Sequence, residues 1–242
     1  MKSLNPSPWS ARFDLLQSLS GLFLALFMWL HMAFVSSILW GEDAFWTVAR
    51  FFEGYFFFGQ PLPWLVSLFV AFIAALIAVH ALLALRKFPA SWQQYRAFWQ
   101  HRKRMSHLDT SLWPLQVATG FLMFFLASVH LYDLLVAPEQ IGTYSSADLV
   151  WTGRTWPLLL LLLFCVEVHG LIGLYRLALK WGWPRFGDPL RTRRILRRML
   201  WTLLVFFLAM GLLTLGTFIS LGIKHAPRAG EPYVPSGMQE AL

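Results

Sequence analysis

Cysteine is all but missing: Cys165 is the only one in 242 residues. Its solitude excludes an internal disulfide, a cysteine-ligated iron–sulfur cluster and the Cys-x-x-Cys-His attachment of a c-type haem. Charge is scarce too, at 13% Asp, Glu, Lys and Arg against 57% hydrophobic residues, far from the balance of a soluble domain. No Gly-x-Gly-x-x-Gly opens a strand and helix unit and no phosphate-binding loop is present, so neither a flavin nor a nucleotide site is legible. Acidic residues, 12 against 20 basic ones, are the rarer charge, and the net charge is +8.

What remains is apolar, with a mean hydropathy of +0.56. Five runs of about 20 residues or more can cross roughly 30 Å of hydrocarbon as helices. They are residues 15–40, 64–85, 112–136, 156–179 and 199–221. Backbone groups in lipid must be satisfied within their own segment, so the expected fold is all-α, a five-helix transmembrane bundle. No second domain and no long repeat interrupts residues 1–242, which read as one unit. The first run is too long for a signal peptide and is expected to stay.

The placement of the basic residues argues against nucleic acid and for a membrane surface. The N-terminal segment carries two, the loop over residues 86–107 six and the loop over residues 176–198 eight, sixteen of the twenty. By the positive-inside rule these segments are cytoplasmic, with the N-terminus inside and the C-terminus outside, which for a bacterial inner membrane is the periplasmic side. Asp14 reads as a helix cap. Residues 51–58, rich in Phe, read as a stretch lying among headgroups, and the tail from Lys224 reads as loosely ordered.

Four histidines lie inside apolar runs: His31, His80, His130 and His169. At 1.5 Å per residue, His80 and His169 lie roughly 10 Å from the inner surface, and His31 and His130 about 12–14 Å from the outer one. A lone membrane histidine is commonly a hydrogen bond to a neighbouring helix. Two depth-matched pairs on four different helices instead suit two six-coordinate b-type haems, each iron taking one imidazole from either side. Zinc would gather three or four ligands at one depth. His101, His107 and His225 fall near water and read as solvated.

Ungapped stretches resemble a known family. They are Gln-Ser-Leu-Ser-Gly-Leu-Phe-Leu-Ala-Leu-Phe-Met-Trp-Leu-His-Met-Ala-Phe-Val-Ser-Ser-Ile-Leu (17–39), His-Ala-Leu-Leu-Ala-Leu-Arg-Lys-Phe-Pro (80–89), Phe-Phe-Leu-Ala-Ser-Val-His-Leu-Tyr (124–132) and Val-Glu-Val-His-Gly-Leu-Ile-Gly-Leu-Tyr-Arg-Leu-Ala-Leu-Lys-Trp-Gly-Trp (166–183). The chain is similar to the dihaem cytochrome b subunit of quinol:fumarate reductase and to related dihaem succinate dehydrogenase anchors.

The resemblance implies His80 and His169 as ligands of the inner haem b, and His31 and His130 as ligands of the outer one. It implies Gln17, Ser18, His107, Trp113 and Lys180 as partners of the inner haem's propionates. It makes Glu53 the acceptor of protons from menaquinol, and Glu167 a carrier returning protons across the membrane. It also implies an iron–sulfur subunit and a flavoprotein subunit on the cytoplasmic face, lipid around the bundle, and a dimer of heterotrimers as one assembly. This chain by itself is not expected to reduce fumarate. Other readings stay open at this point: a menaquinone-linked succinate dehydrogenase anchor, the cytochrome b of a hydrogenase or formate dehydrogenase, and an anchor without redox cofactors. Two residues separate Glu167 from His169, about 200° around a helix, so Glu167 is expected to look away from the imidazole's haem, along the bundle or into a gap.

Overall fold

The computed structural model describes residues 8–104 and 108–239. Its elements, all helical, run in chain order: α1 (Pro8–Val35) with a 3-10 turn (Ser36–Trp40), α2 (Glu42–Phe52), α3 (Tyr55–Phe58), α4 (Trp64–Leu85), α5 (Trp92–Arg104), α6 (Leu108–Val136), α7 (Thr143–Trp151), α8 (Trp156–Trp181), α9 (Pro189–His225) and α10 (Ser236–Gln239). Five helical stretches are long and apolar enough to cross a membrane: Pro8–Trp40, Trp64–Leu85, Ser111–Val136, Trp156–Trp181 and Pro189–Arg228. Leu82, Phe121 and Val205, on three of these spans, stay exposed, as side chains facing lipid must.

The spans run alternately up and down, because α1, α6 and α9 leave the face at which α4 and α8 end. We call that the amino face and the opposite one the carboxyl face. At the amino face Lys87, beyond α4, and Lys180 of α8 both reach Asp14 of α1. At the carboxyl face the Ser67 hydroxyl, near the start of α4, donates to the carbonyl of Leu135, near the end of α6, at 3.1 Å. The central helix is α8, which packs against α6, α9 and α1. Its residues Leu171, Ile172 and Tyr175 join Leu196 and Leu200 of α9 and Leu112 of α6 in the larger core cluster. Leu163 meets Met32 and Phe207 in a second cluster.

Two helix starts lie well outside the apolar runs. Asp188 caps α9, its Oδ1 accepting from the backbone N–H of Leu190 and Arg191 at 2.9 Å each, with Pro189 at the first helical position. The 37-residue helix is about 55 Å long, so its arginine-rich first turns project beyond hydrocarbon of about 30 Å. α1 begins at Pro8, and Asp14 is therefore not a cap but an interior residue that ties α1 to α4 and α8. In α1 and α9 hydropathy marks only the apolar part; ion pairs and a cap belong to the polar ends.

The connections are more ordered than expected. At the amino face α5 lays its Phe98 ring 4.6 Å from Trp113 of α6. At the carboxyl face α2 and α7 close over the bundle, with Phe45, Ala147, Val150, Ile38 and Phe218 forming a third apolar cluster. Phe56, Phe57 and Phe58 of α3 stay exposed. The tail is pinned rather than loose: Tyr233 and Ser236 bond to Asp43, and Gly230 to Asp148.

Candidate histidine sites in the bundle

The four spans that carry the intramembrane histidines bring them together two by two. The rings of His80 on α4 and His169 on α8 have centroids 6.5 Å apart, and those of His31 on α1 and His130 on α6 are 6.4 Å apart. With metal–nitrogen bonds of about 2 Å and about 1.2 Å from ring nitrogen to ring centre, two imidazoles on opposite sides of one iron have centroids about 6.4 Å apart. Both pairs fit that spacing. Each pair presents two imidazoles, the number of protein ligands that a six-coordinate haem iron takes beside its four ring nitrogens.

The polar surroundings of the amino-face pair set its tautomers. Ser20 Oγ lies 3.1 Å from the Gln17 carbonyl and 3.0 Å from His80 Nδ1. A hydroxyl has one proton; if it donates that proton to the carbonyl, it can only accept from the imidazole, so His80 carries its hydrogen on Nδ1. His169 Nδ1 sits 2.8 Å from the Gln116 carbonyl, which accepts only, so this ring too is protonated at Nδ1. Each ring is left with Nε2 as the nitrogen able to bind a metal, the usual way an outer hydrogen bond orients a ligating histidine.

Two glycines make these positions possible. A Cβ on Gly21 would lie 2.8 Å from His80 Cε1, and one on Gly120 would lie 2.5 Å from His169 Cε1. Both sit in helix interiors, where glycine is disfavoured unless another group must approach closely. Gly21 and Gly120, with Ser20 and Gln116, are the site residues that sequence reasoning missed. Mid-span glycines were the available signal.

The carboxyl-face pair is set by rings. Phe27, one turn before His31, stacks on it at 5.7 Å, and Phe69 of α4 meets Phe27 edge-on at 5.6 Å.

Of the residues expected around the inner site, Gln17, Ser18 and Lys180 lie at the amino face. The Lys180 ammonium donates to Ser18 Oγ at 2.8 Å and also pairs with Asp14, to which Lys87 reaches at 2.5 Å. Gln17 Oε1 is buried without a protein partner. Trp113 sits at the same face, 6.4 Å from Phe88. His107 and the side chain of His101 lie outside the described residues. The result is a cationic rim at the end where His80 and His169 lie.

Glu53 ends α2 at the carboxyl face and is fully buried. Gly54 follows in the left-handed region at φ 73°, which turns the chain into α3 beneath Leu65. Arg50 Nη1 lies 2.5 Å from Glu53 Oε2, an ion pair outside hydrogen-bonding geometry, and Oε1 has no partner. Burial pushes the Glu53 carboxyl above its ordinary range, and the Arg50 guanidinium opposes that shift. Phe52, the neighbour of Glu53, meets Phe34 at 5.0 Å, and Phe34 is three residues from His31. Glu53 therefore belongs to the same end of the bundle as the His31–His130 pair.

Glu167 is buried as well, with Oε1 unpartnered. It shares a face of α8 with Leu163 and Leu171, one turn away on either side, whose clusters include Met32 of α1 and Leu196 and Phe207 of α9. His169 looks the other way, to Gln116 of α6. The carboxyl group thus faces the α1–α9 side of the bundle.

His225 corrects its solvated reading. It is buried at the end of α9, with its ring stacked 4.2 Å from Tyr144 and Nδ1 2.8 Å from Asp148 Oδ1.

Residues 93–213 match the sequence model of the succinate dehydrogenase/fumarate reductase transmembrane subunit. The fumarate reductase cytochrome b subunit of Helicobacter pylori is 47% identical over 224 residues, 93% of this chain and 86% of that protein. The chain belongs to the succinate dehydrogenase/fumarate reductase transmembrane subunit family. The fumarate reductase cytochrome b subunit of Wolinella succinogenes is 46% identical over 215 residues, 89% of this chain and 84% of that relative. With five helices long and apolar enough to cross a membrane, this member of a transmembrane-subunit family is a multi-pass membrane protein.

Proposed function

We propose that this chain is the dihaem cytochrome b subunit of a menaquinol:fumarate reductase. The observation that carries the reading is the pair of histidine pairs: four imidazoles on four helices, one pair towards each face, each pair at a spacing that suits one iron. When bound, a b-type haem would supply reversible one-electron transfer at each histidine pair.

The protein's own residues do the rest. His80 and His169, with Nδ1 engaged, offer Nε2 to the haem at the amino face, and His31 and His130 hold the other. Lys180, Lys87, Ser18 and the Gln17 amide form a rim suited to carboxylates, and both lysines already pair with that of Asp14. His107 and Trp113 are proposed for the same rim. Glu53, buried at the carboxyl face with its proton held more tightly than usual, accepts protons as menaquinol is oxidised there. Glu167 carries protons through the bundle beside the haems.

The basic segments at the amino face orient it to the cytoplasm and offer a docking surface for an iron–sulfur subunit and, beyond it, a flavoprotein subunit that reduces fumarate to succinate. Menaquinone-linked succinate oxidation is the same chemistry run backwards, and the arrangement serves either direction.

The test is purification of the chain with its bound partners from the native membrane. Two haems b per chain, a flavin and iron–sulfur subunit pair in the same particle, and menaquinol-dependent fumarate reduction are expected. A particle with a hydrogenase or formate dehydrogenase subunit, or one lacking haem, would overturn the reading.

A further inference from the structure

The C-terminal segment, as far as residue 239, is bound at both ends of a small polar cluster on the carboxyl face. As α9 ends, His225 bonds to Asp148 of α7, and the Gly230 backbone N–H donates to the other oxygen of the same carboxylate at 2.9 Å. Farther along, the Tyr233 hydroxyl donates to Asp43 Oδ1 at 2.7 Å. The Ser236 backbone N–H reaches that oxygen at 3.2 Å, and the Ser236 hydroxyl bonds to Oδ2. Tyr144 stacks on His225 and meets Tyr233 edge-on at 5.0 Å, so the rings fill the space between the two carboxylates. These hydroxyl donors hold the Asp43 carboxyl below its ordinary range, Ser236 first and Tyr233 next.

Both ends of α2 are thereby occupied. Asp43 lies in its first turn and Glu53 directly follows its last residue, Phe52. Near the start of the helix Phe45 packs edge-on against Phe218 of α9 at 5.2 Å, and at its far end Phe52 meets Phe34 of α1 at 5.0 Å. From Asp43 to Glu53 the rod is about 15 Å long, so a tilt of about 4° moves the carboxyl end by about 1 Å. A displacement of that size at a reacting group can cost about a hundredfold in rate.

We propose that residues 226–239 form a positioning strap: by fastening the first turn of α2 to α7 and to the end of α9, they fix where Glu53 stands. The proposal rests on the reading of Glu53 as the quinol-side proton acceptor. Asp43, Tyr233 and Ser236 are positioning residues in this arrangement and touch neither quinone nor haem ligand.

The experiment compares the native complex with one carrying Asp43→Asn together with Tyr233→Phe, and with one carrying Tyr233→Phe alone. In the double variant, amide hydrogen exchange over residues 43–54 is expected to quicken by about tenfold or more. Menaquinol-linked turnover should fall by about tenfold to a hundredfold, while fumarate reduction from a soluble artificial donor and both haem spectra stay unchanged. The single variant should fall between. Placed on a Glu53→Gln background, the double variant should cause no further loss. Unchanged exchange in α2, or faster exchange with full quinol-linked turnover, would overturn the strap. Full turnover in Glu53→Gln alone would overturn the reading of Glu53 instead, and the exchange data would still decide whether the tail holds α2.

Discussion

Gly120 of α6 and His169 of α8 meet so closely that no side chain fits between them: a Cβ at position 120 would stand 2.7 Å from His169 Nδ1 and 2.5 Å from Cε1. That ring nitrogen bonds to the Gln116 carbonyl one turn away on the same helix. Gly120→Ala must therefore push the imidazole off its acceptor or part the two helices, at a cost of about 1–3 kcal/mol. The expected variant keeps its fold and the haem on His31 and His130 and loses or loosens the other, read as haem per chain and in the low-temperature optical spectrum. Two haems with native spectra would mean that the close approach at Gly120 is not what positions His169.

The two pairs should separate genetically. His31→Ala or His130→Ala is expected to remove the haem of the carboxyl face alone, and His80→Ala or His169→Ala the haem of the amino face alone. Redox titration of the purified variants distinguishes the two centres. If His31→Ala and His80→Ala abolished the same spectral component, the pairing would be wrong.

Ser20→Ala removes the hydroxyl that lies 3.0 Å from His80 Nδ1 without changing the histidine itself. Loss of such an outer partner typically weakens metal binding about tenfold to a hundredfold. The expected outcome is partial occupancy or a shifted midpoint at the amino-face haem, with the other centre as an internal control. Ser20→Thr, which keeps the hydroxyl, should restore both.

For Glu53 the sign follows from its raised pKa. The folded protein keeps this proton to higher pH than the unfolded chain does, so across the window from the ordinary 4.5 up to the folded value stability falls as pH rises. A proton acceptor must be ionised, so quinol oxidation should fall as pH drops through the folded value. Glu53→Gln is expected to lower quinol oxidation and abolish that acid limb, while fumarate reduction from a soluble donor survives. Equal loss of both activities would make the residue structural.

Glu167→Gln keeps size and hydrogen bonding but cannot ionise. Releasing protons on one side and consuming them on the other moves charge across the membrane at about 2.3 kcal/mol per charge per 100 mV, so a reaction with little driving force needs a compensating proton path. The variant is expected to retain both haems and lose quinol-linked turnover in sealed vesicles. Full turnover there would reduce Glu167 to a buried hydrogen-bonding group.

Apolar run length by itself gave the class and the number of spans, because hydrocarbon thickness and the need to satisfy backbone groups leave few choices. The histidines could be sorted by depth for the same reason: depth along a helix is linear in sequence. Partnership across helices is not. That Ser20 serves His80, that Gln116 orients His169, and that Gly21 and Gly120 make room for the rings depended on how α1 meets α4 and α6 meets α8. Asp14 looked like a cap and proved to join three elements, because its lysines arrive from residues 73 and 166 positions away. His225 and the tail looked solvated, since polar, proline-rich sequence signals neither a stacked tyrosine nor a carboxylate waiting on α7. Local chemistry is written in the order of residues; which groups face one another across the bundle is fixed only when the helices pack.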